Sequence, residues 1–200
     1  MVISANPNSS AHRHLVVMLK EPRPGRVKTR LGKDIGMTTA AWWFRHQTAS
    51  LLRRLRDPRW ELVIAVAPDR EGLQSRIWPT DIVRSPQGQG DLGVRMIRQI
   101  NRFAGPVCVI GGDIPGIQRH HIKTCFDHLG RHDWVFGPSD DGGYWLVGAK
   151  GWPKVARSQF SGVRWSTEHA LADSVACLGD QRIAFGPELS DVDCVADLEK

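Results

Sequence analysis

Six cations crowd one stretch of this chain: Lys20, Arg23, Arg26, Lys28, Arg30 and Lys33, within KEPRPGRVKTRLGK at residues 20–33. Like charges at that density ask for anions. Arg26, Lys28 and Arg30 can neutralise several phosphate charges, the arginines as two-pronged donors. Gly25 and Gly32 let the backbone approach the same anion closely. The stretch contains neither GxxxxGK[ST] nor GxGxxG, so it is neither a P-loop nor a dinucleotide fingerprint. A solvated basic loop is the simpler reading of the same residues.

Carboxylates supply a second kind of chemistry. VIGGDIPGI at 109–117 ends an apolar run on Asp113, with Gly111 and Gly112 keeping the space before it open. A lone Asp at a strand tip suits Mg²⁺ or Mn²⁺, which take one or two protein carboxylates plus phosphate oxygens. Pro115 stands where a DxD motif would carry its second Asp, and a helix cap is the competing role for Asp113. GPSDDGGYWLVG at 137–148 sets Asp140 and Asp141 before two glycines. There an Asp could contact a hydroxylated substrate while Gly142 and Gly143 let it lie against the backbone. The competing reading is an Asp-Gly hairpin turn, although SDDGG is longer than a two-residue turn needs. LSDVDCVADLE at 189–199 holds Asp191, Asp193 and Asp197, either as an acidic face or as a source of a second carboxylate for the metal.

These groups need elements to position them. HLVVML (14–19), ELVIAVA (61–67) and PVCVIGGD (106–113) read as buried strands. Shorter strands are expected near 81–84, at 133–137 and at 144–149. Helices are expected at 37–56, 70–77, 92–103, 122–129 and 166–178, the last capped by Ser166 or Thr167. Pro22, Pro24 and Gly25 argue against helix in the loop that follows the first strand. Strands apolar on both faces and alternating with helices predict a mainly parallel sheet covered on both sides. Ligands of such sheets bind beyond the carboxyl ends of the strands. The clusters at 20–33, 112–115 and 137–143 all follow strands.

Two hundred residues, with 41% hydrophobic and 24% charged, fit one α/β domain over 14–200 behind a loose polar tail at 1–13. No apolar run reaches the roughly 18 residues of a membrane span, and the start lacks a secretory pattern. The four cysteines form no CxxC pair and read as free thiols in a reducing cytoplasm. The net charge of +6 raises nucleic acid as a partner. No helix-turn-helix, zinc finger or RNA-binding signature supports it.

The ordered blocks KxPxPGxVKTRL, GDLGxRM, GxDxP, PxxDGGYxLxG, WS and DVDxxxDL resemble a bacterial family, from about His14 to Glu199. It is the DUF2064 group of cofactor-guanylyltransferase-like glycosyltransferases, within the nucleotide-diphospho-sugar transferase superfamily. The resemblance implies a single three-layer α/β/α domain of the Rossmann-like glycosyltransferase-A fold, with a mixed, mainly parallel sheet. It implies that Lys20, Gly25, Arg26, Lys28, Thr29, Arg30, Gly90 and Asp91 bind nucleotide and phosphate. Asp113 and Asp193 would hold Mg²⁺ or Mn²⁺, since VDCVADLE resembles the VDTPEDLE segment of sugar nucleotidylyltransferases. Asp141, Gly142, Gly143, Tyr144, Trp165 and Ser166 would form the acceptor or sugar pocket, and Lys28, Asp113 and Asp141 the catalytic set. Gly112 departs from the Ser or Thr usual before the metal Asp, and a hydroxyl partner is lost with it.

The expected protein is a cytoplasmic, metal-dependent transferase that takes an NTP or sugar nucleotide and a small acceptor. Glycosyl transfer and nucleotidylyl transfer of the guanylyltransferase type both stay open. A nucleotide-binding module without catalysis is the alternative from another class. The oligomeric state, a homodimer included, is open as well.

Overall fold

The computed structural model describes residues 12–151 and 153–190. The expected tail therefore lies almost entirely outside the described residues, as do Asp191, Asp193, Asp197 and Cys194. Arg13 already belongs to the fold: its carbonyl accepts from Glu61 N at 2.9 Å and its guanidinium reaches Asp127 at 3.3 Å.

Seven strands form one sheet in the order β3-β2-β1-β4-β6-β5-β7. They are β1 (His14–Lys20), β2 (Glu61–Ala67), β3 (Val83–Pro86), β4 (Val107–Gly111), β5 (Trp134–Pro138), β6 (Tyr144–Ala149) and β7 (Ile183–Phe185). β1 pairs in parallel with β2 and β4, and β2 with β3; β6 runs antiparallel between β4 and β5. β7 joins the edge parallel to β5. The sheet is thus mixed and mainly parallel, as the patterning predicts.

The double-sided apolar runs explain the layers. Leu15, Val17 and Leu19 of β1, Ile64 and Val66 of β2, and Cys108 and Ile110 of β4 point to one face. That face is covered by α2 (Met37–Arg54), through Phe44, Leu51 and Leu52, and by α5 (Arg119–His128), through Ile122 and Phe126. Val16, Val63 and Val109 point to the other face, covered by Met96, Ile97 and Ile100 of α4 (Leu92–Ile100). Leu171 and Val175 of α6 (Ala170–Ala176) pack there too. α3 (Asp69–Gln74) follows β2. No helix among the described residues is long and apolar enough to cross a membrane.

Three expectations change. Residues 29–35 form a helix, α1 (Thr29–Ile35), inside the expected loop. The prolines that argue against helix sit upstream of its first turn, where they do no harm. β7 is only three residues long, too short to show a period. The helix expected at 166–178 begins only at Ala170, with His169 at its N-cap; neither Ser166 nor Thr167 caps it.

This topology decides what meets. The parallel strands deliver Lys20, Ala67, Pro86 and Gly111 to one edge. Because β6 runs the other way, its first residue, Tyr144, reaches that edge, as does Pro138 at the end of β5. The three polar clusters of the sequence therefore converge.

Candidate functional site

At that edge lies a cleft of about 800 Å³. Its wall contains Lys20, Arg26, Lys28, Thr29, Arg30 and Asp91 of the expected phosphate set. Asp113 and, from the expected acceptor set, Asp141, Tyr144, Trp165 and Ser166 share the same wall.

Lys28 is the first residue to account for. It precedes α1 with left-handed backbone, φ 44° and ψ 50°, which costs a non-glycine residue about 1–2 kcal/mol. Its side chain is only 6% exposed, and Nζ donates to Asp113 Oδ2 at 3.0 Å. A buried ammonium needs such a counter-charge. Residues 85 positions apart in sequence are thereby locked together at the strand tips. Ser166, with φ 61°, is the other described non-glycine residue of positive φ. Both strained residues line the cleft, the usual place for backbone strain that other contacts over-determine.

Asp113 does not cap a helix, since α5 starts at Arg119 behind Gln118. It sits in a loop that Arg54 braces from α2, with Nε on Ile117 O at 2.7 Å and Nη2 on Pro115 O at 2.8 Å. Gly111 and Gly112 have separate reasons. A Cβ on Gly111 would stand 2.8 Å from Asp113 Oδ1, so its absence leaves room beside the carboxylate. A Cβ on Gly112 would meet Leu19 Cδ2 at 2.1 Å. Packing therefore forbids the Ser or Thr that Gly112 replaces, unless Leu19 moves.

GPSDDGGYW is the hairpin between β5 and β6, closed by Ser139 N on Gly143 O at 3.1 Å. It is also a wall of the cleft, through Ser139 and Asp141. Asp141 accepts from Gly143 N at 2.9 Å, while Asp140 accepts from Ser190 Oγ at 2.7 Å, off the cleft. Gly142 and Gly143 stand behind the wall rather than on it. Gly142 has φ 80°, and a Cβ there would lie 2.2 Å from Glu168 O. Its smallness packs the hairpin onto the segment before α6. Gly25 and Gly90 likewise turn the chain without lining the cleft.

The side expected to hold the acceptor is aromatic. Tyr144 donates to or accepts from Ser174 Oγ at 3.2 Å, and burial pushes its phenol pKa up, so it stays neutral. Its ring meets Trp165 edge-on, 6.4 Å between centroids. The Trp165 indole nitrogen is buried and finds no acceptor among the described residues. Asp91 caps α4 by accepting from Val94 N at 2.8 Å. Gln87 and Arg95, which the sequence reading passed over, also line the cleft. The signal for Arg95 was its place within GDLGxRM.

The donor set fits a hard divalent cation that is completed by ligand oxygens. Asp113 offers carboxylate oxygen with open space beside it, and its side chain is 36% exposed to the cleft. No cluster of three or more His, Cys, Asp or Glu side chains occurs among the described residues, so protein groups in them do not enclose an ion.

Residues 50–167 match the family described as "Uncharacterized protein conserved in bacteria (DUF2064)". The chain belongs to the DUF2064 family. No curated protein matches it. Among solved structures, it is similar to a "putative nucleotide-diphospho-sugar transferase" from Desulfovibrio desulfuricans G20. The TM-score is 0.83 at 28% identity, over 93% of this chain and 84% of that one. CMP:2-keto-3-deoxy-manno-octonic acid synthetase complexed with CTP matches at TM-score 0.56 and 12% identity, over 94% and 95% of the two chains. Rv0371c of Mycobacterium tuberculosis H37Rv, in complex with manganese, matches at 0.52 and 15%, over 94% and 96%. The last two likenesses speak for the fold alone. The DUF2064 chain thus has the nucleotide-diphospho-sugar transferase fold, and the sequence resemblance stated above holds for family and fold alike.

Proposed function

We propose that this protein is a metal-dependent transferase that binds an NTP or a sugar nucleotide in the cleft and passes a nucleotidylyl or glycosyl group to a small acceptor. The observation that carries this reading is the Lys28–Asp113 contact at 3.0 Å. It joins the cationic loop to the strand-tip carboxylate, where a cation and the anion it bridges need one another. The likeness to the Desulfovibrio protein supports it. In this reading residues 14–200 form one transferase domain.

Lys20, Arg26, Lys28 and Arg30 bind phosphate oxygens and offset the charge that grows on them during transfer. Asp113, with Asp193 as the second ligand, would hold Mg²⁺ or Mn²⁺, which supplies Lewis-acid polarisation of the phosphates. Asp141 orients a hydroxyl of the sugar or acceptor. Tyr144 and Trp165 exclude water around it. Pro115 in the DxD position and the density of cations favour nucleotidylyl transfer. There an acceptor phosphate oxygen bonds to the α-phosphorus, the bond to the bridging oxygen breaks, and pyrophosphate leaves with that electron pair.

The test is a turnover screen of the purified protein with Mg²⁺, the common NTPs and sugar nucleotides, and candidate sugar phosphates. Release of pyrophosphate or of a nucleoside diphosphate is the expected result. Nucleotide binding without any release would instead make the protein a binding module.

A further inference from the structure

Arg95 stands apart from the other cations of the cleft. The loop cations belong to the segment around α1, whose Val27 packs on the sheet face of Leu15 and Val17. Arg95 belongs to α4, whose Met96 and Ile97 pack on the opposite face with Val16 and Val63. The two sets therefore enter the cleft from opposite sides of the sheet, and the phosphates are already served by the first.

Arg95 is held at two points. Gln87 is 3% exposed, and its Nε2 donates to two carbonyls, Leu19 O at 3.1 Å and Ala65 O at 2.9 Å. Only an amide nitrogen can sit between two carbonyl oxygens, so the orientation of this amide is fixed. Gln87 Oε1 must then face outward, where it accepts from Arg95 Nη1 at 3.2 Å. Arg95 Nε donates to Asp91 O at 3.3 Å. The loop beneath is pinned in turn: Gly88 N donates to Asp69 Oδ1 at 3.0 Å, and Arg98 Nη2 to Gln89 O at 2.8 Å.

Two of the five guanidinium N–H groups are thus engaged, and three are left. No carboxylate pairs with Arg95 among the described residues. A rigid guanidinium in this state seeks two adjacent acceptors in one plane. Met18, Leu92 and Met96 line the same cleft and offer apolar contact to a flat ring.

We infer that Arg95, oriented by Gln87, reads the nucleobase and selects one that carries two adjacent acceptors on an edge. Guanine presents N7 and O6, and cytosine presents N3 and O2. Adenine sets its N6 donor beside each acceptor of its outer edges, and uracil puts N3–H between its two oxygens. Both would leave part of the fork unpaired. This inference rests on the nucleotide site proposed above.

The experiment is calorimetric titration of the protein with GTP, CTP, ATP, UTP and inorganic pyrophosphate, each with Mg²⁺. The parent and the variants Arg95→Lys and Arg95→Gln are compared. The expected parent binds GTP or CTP at least about tenfold more tightly than ATP and UTP, the discrimination of one good bidentate pair. Both variants bring the four nucleotides to within about threefold and leave pyrophosphate unchanged. Arg95→Lys keeps the charge, so its loss of selectivity isolates the fork. Equal affinity for all four bases in the parent would overturn the inference while leaving the nucleotide site standing. So would an equal loss of pyrophosphate and GTP affinity in the variants, which would make Arg95 a phosphate ligand. Binding of none of the five probes would remove the nucleotide site itself, and the base reading with it.

Discussion

The loop after β1 and the hairpin between β5 and β6 reach the same cleft, yet they place left-handed backbone differently. In the loop Gly25 takes it at φ 75°, and so does a lysine, Lys28, at φ 44°. In the hairpin a glycine does, at φ 80°, and the place of its missing side chain is filled by Glu168 backbone. A chain that needs only a turn uses glycine there, because glycine bears no steric penalty. Holding a lysine in that conformation costs free energy that its contact with Asp113 must offset. The difference marks residue 28 as a position kept for its side chain, and Gly142 as one kept for its shape.

The largest expected effect lies where the loop finds its counter-charge. Asp113→Ala should lower turnover by at least about 10²–10³, the loss typical of removing one preorganised electrostatic group. Its removal also takes a counter-charge from the buried Lys28 ammonium, so the thermal midpoint should fall as well. Activity assays with circular dichroism check both. Arg53→Ala, on the exposed side of α2, is the matching control and should leave activity unchanged. Arg54 is unsuitable for that purpose, because it braces Pro115 and Ile117. Parent-like turnover of Asp113→Ala would break the link between strain and chemistry.

Substitutions at residue 28 sharpen the comparison itself. Lys28→Ala and Lys28→Gly both lose the ammonium and should weaken nucleotide binding alike, by about tenfold or more. They should differ in stability, because glycine relieves the left-handed strain and alanine does not. Lys28→Gly should therefore be more stable than Lys28→Ala by about 1 kcal/mol in denaturant titrations. At Gly142 alanine meets both strain and a backbone oxygen, so Gly142→Ala should cost at least about 2 kcal/mol.

How much of this was written legibly in the chain depends on the kind of signal. β1, β2 and β4 were plain because their side chains are apolar on both faces, and the carboxyl-end rule then located the cleft. Asp113, Asp141, Lys28 and Arg30 could be picked out as charges in the segments that follow strands. Their spacing was not legible: nothing in VKTRLG tells that Lys28 turns left-handed and buries its stem. Gln87 and Arg95 escaped for a related reason. Gln87 matters through two carbonyls on β1 and β2, an arrangement that exists only once the sheet is paired. Gly112 looked like a lost hydroxyl, and a Cβ there would also crowd the end of Leu19.

That last point yields a smaller effect. Gly112→Ser supplies the hydroxyl that the family resemblance leads one to expect, but its Cβ would start 2.1 Å from Leu19 Cδ2. The variant should lose about 1–3 kcal/mol, the usual cost of overpacking. Adding Leu19→Ala should recover part of that loss by opening the space, although Leu19→Ala alone destabilises. A double-mutant cycle by denaturant unfolding reads the coupling. Strict additivity would show that the two side chains do not collide.

The smallest effect lies away from the cleft, at the start of β1. His14 is buried against Phe103, with ring centroids 4.0 Å apart, and burial lowers its pKa although Glu61 at 3.4 Å acts to raise it. His121 is lowered as well, by burial and by His120. A histidine held neutral in the fold is more basic once unfolded, so the unfolded chain binds the extra proton first. The contribution is fully present above about pH 6.5 and is lost as pH falls through the folded-state value. The arginine-paired carboxylates Asp133 and Asp173 are held well below the usual range and stay ionised there, so they do not confound the window. The unfolding midpoint should therefore drop between pH 7 and pH 5.5. His14→Gln should flatten that drop, leaving the share that His121 contributes. A midpoint that rises on acidification would mean that Glu61 outweighs burial at His14.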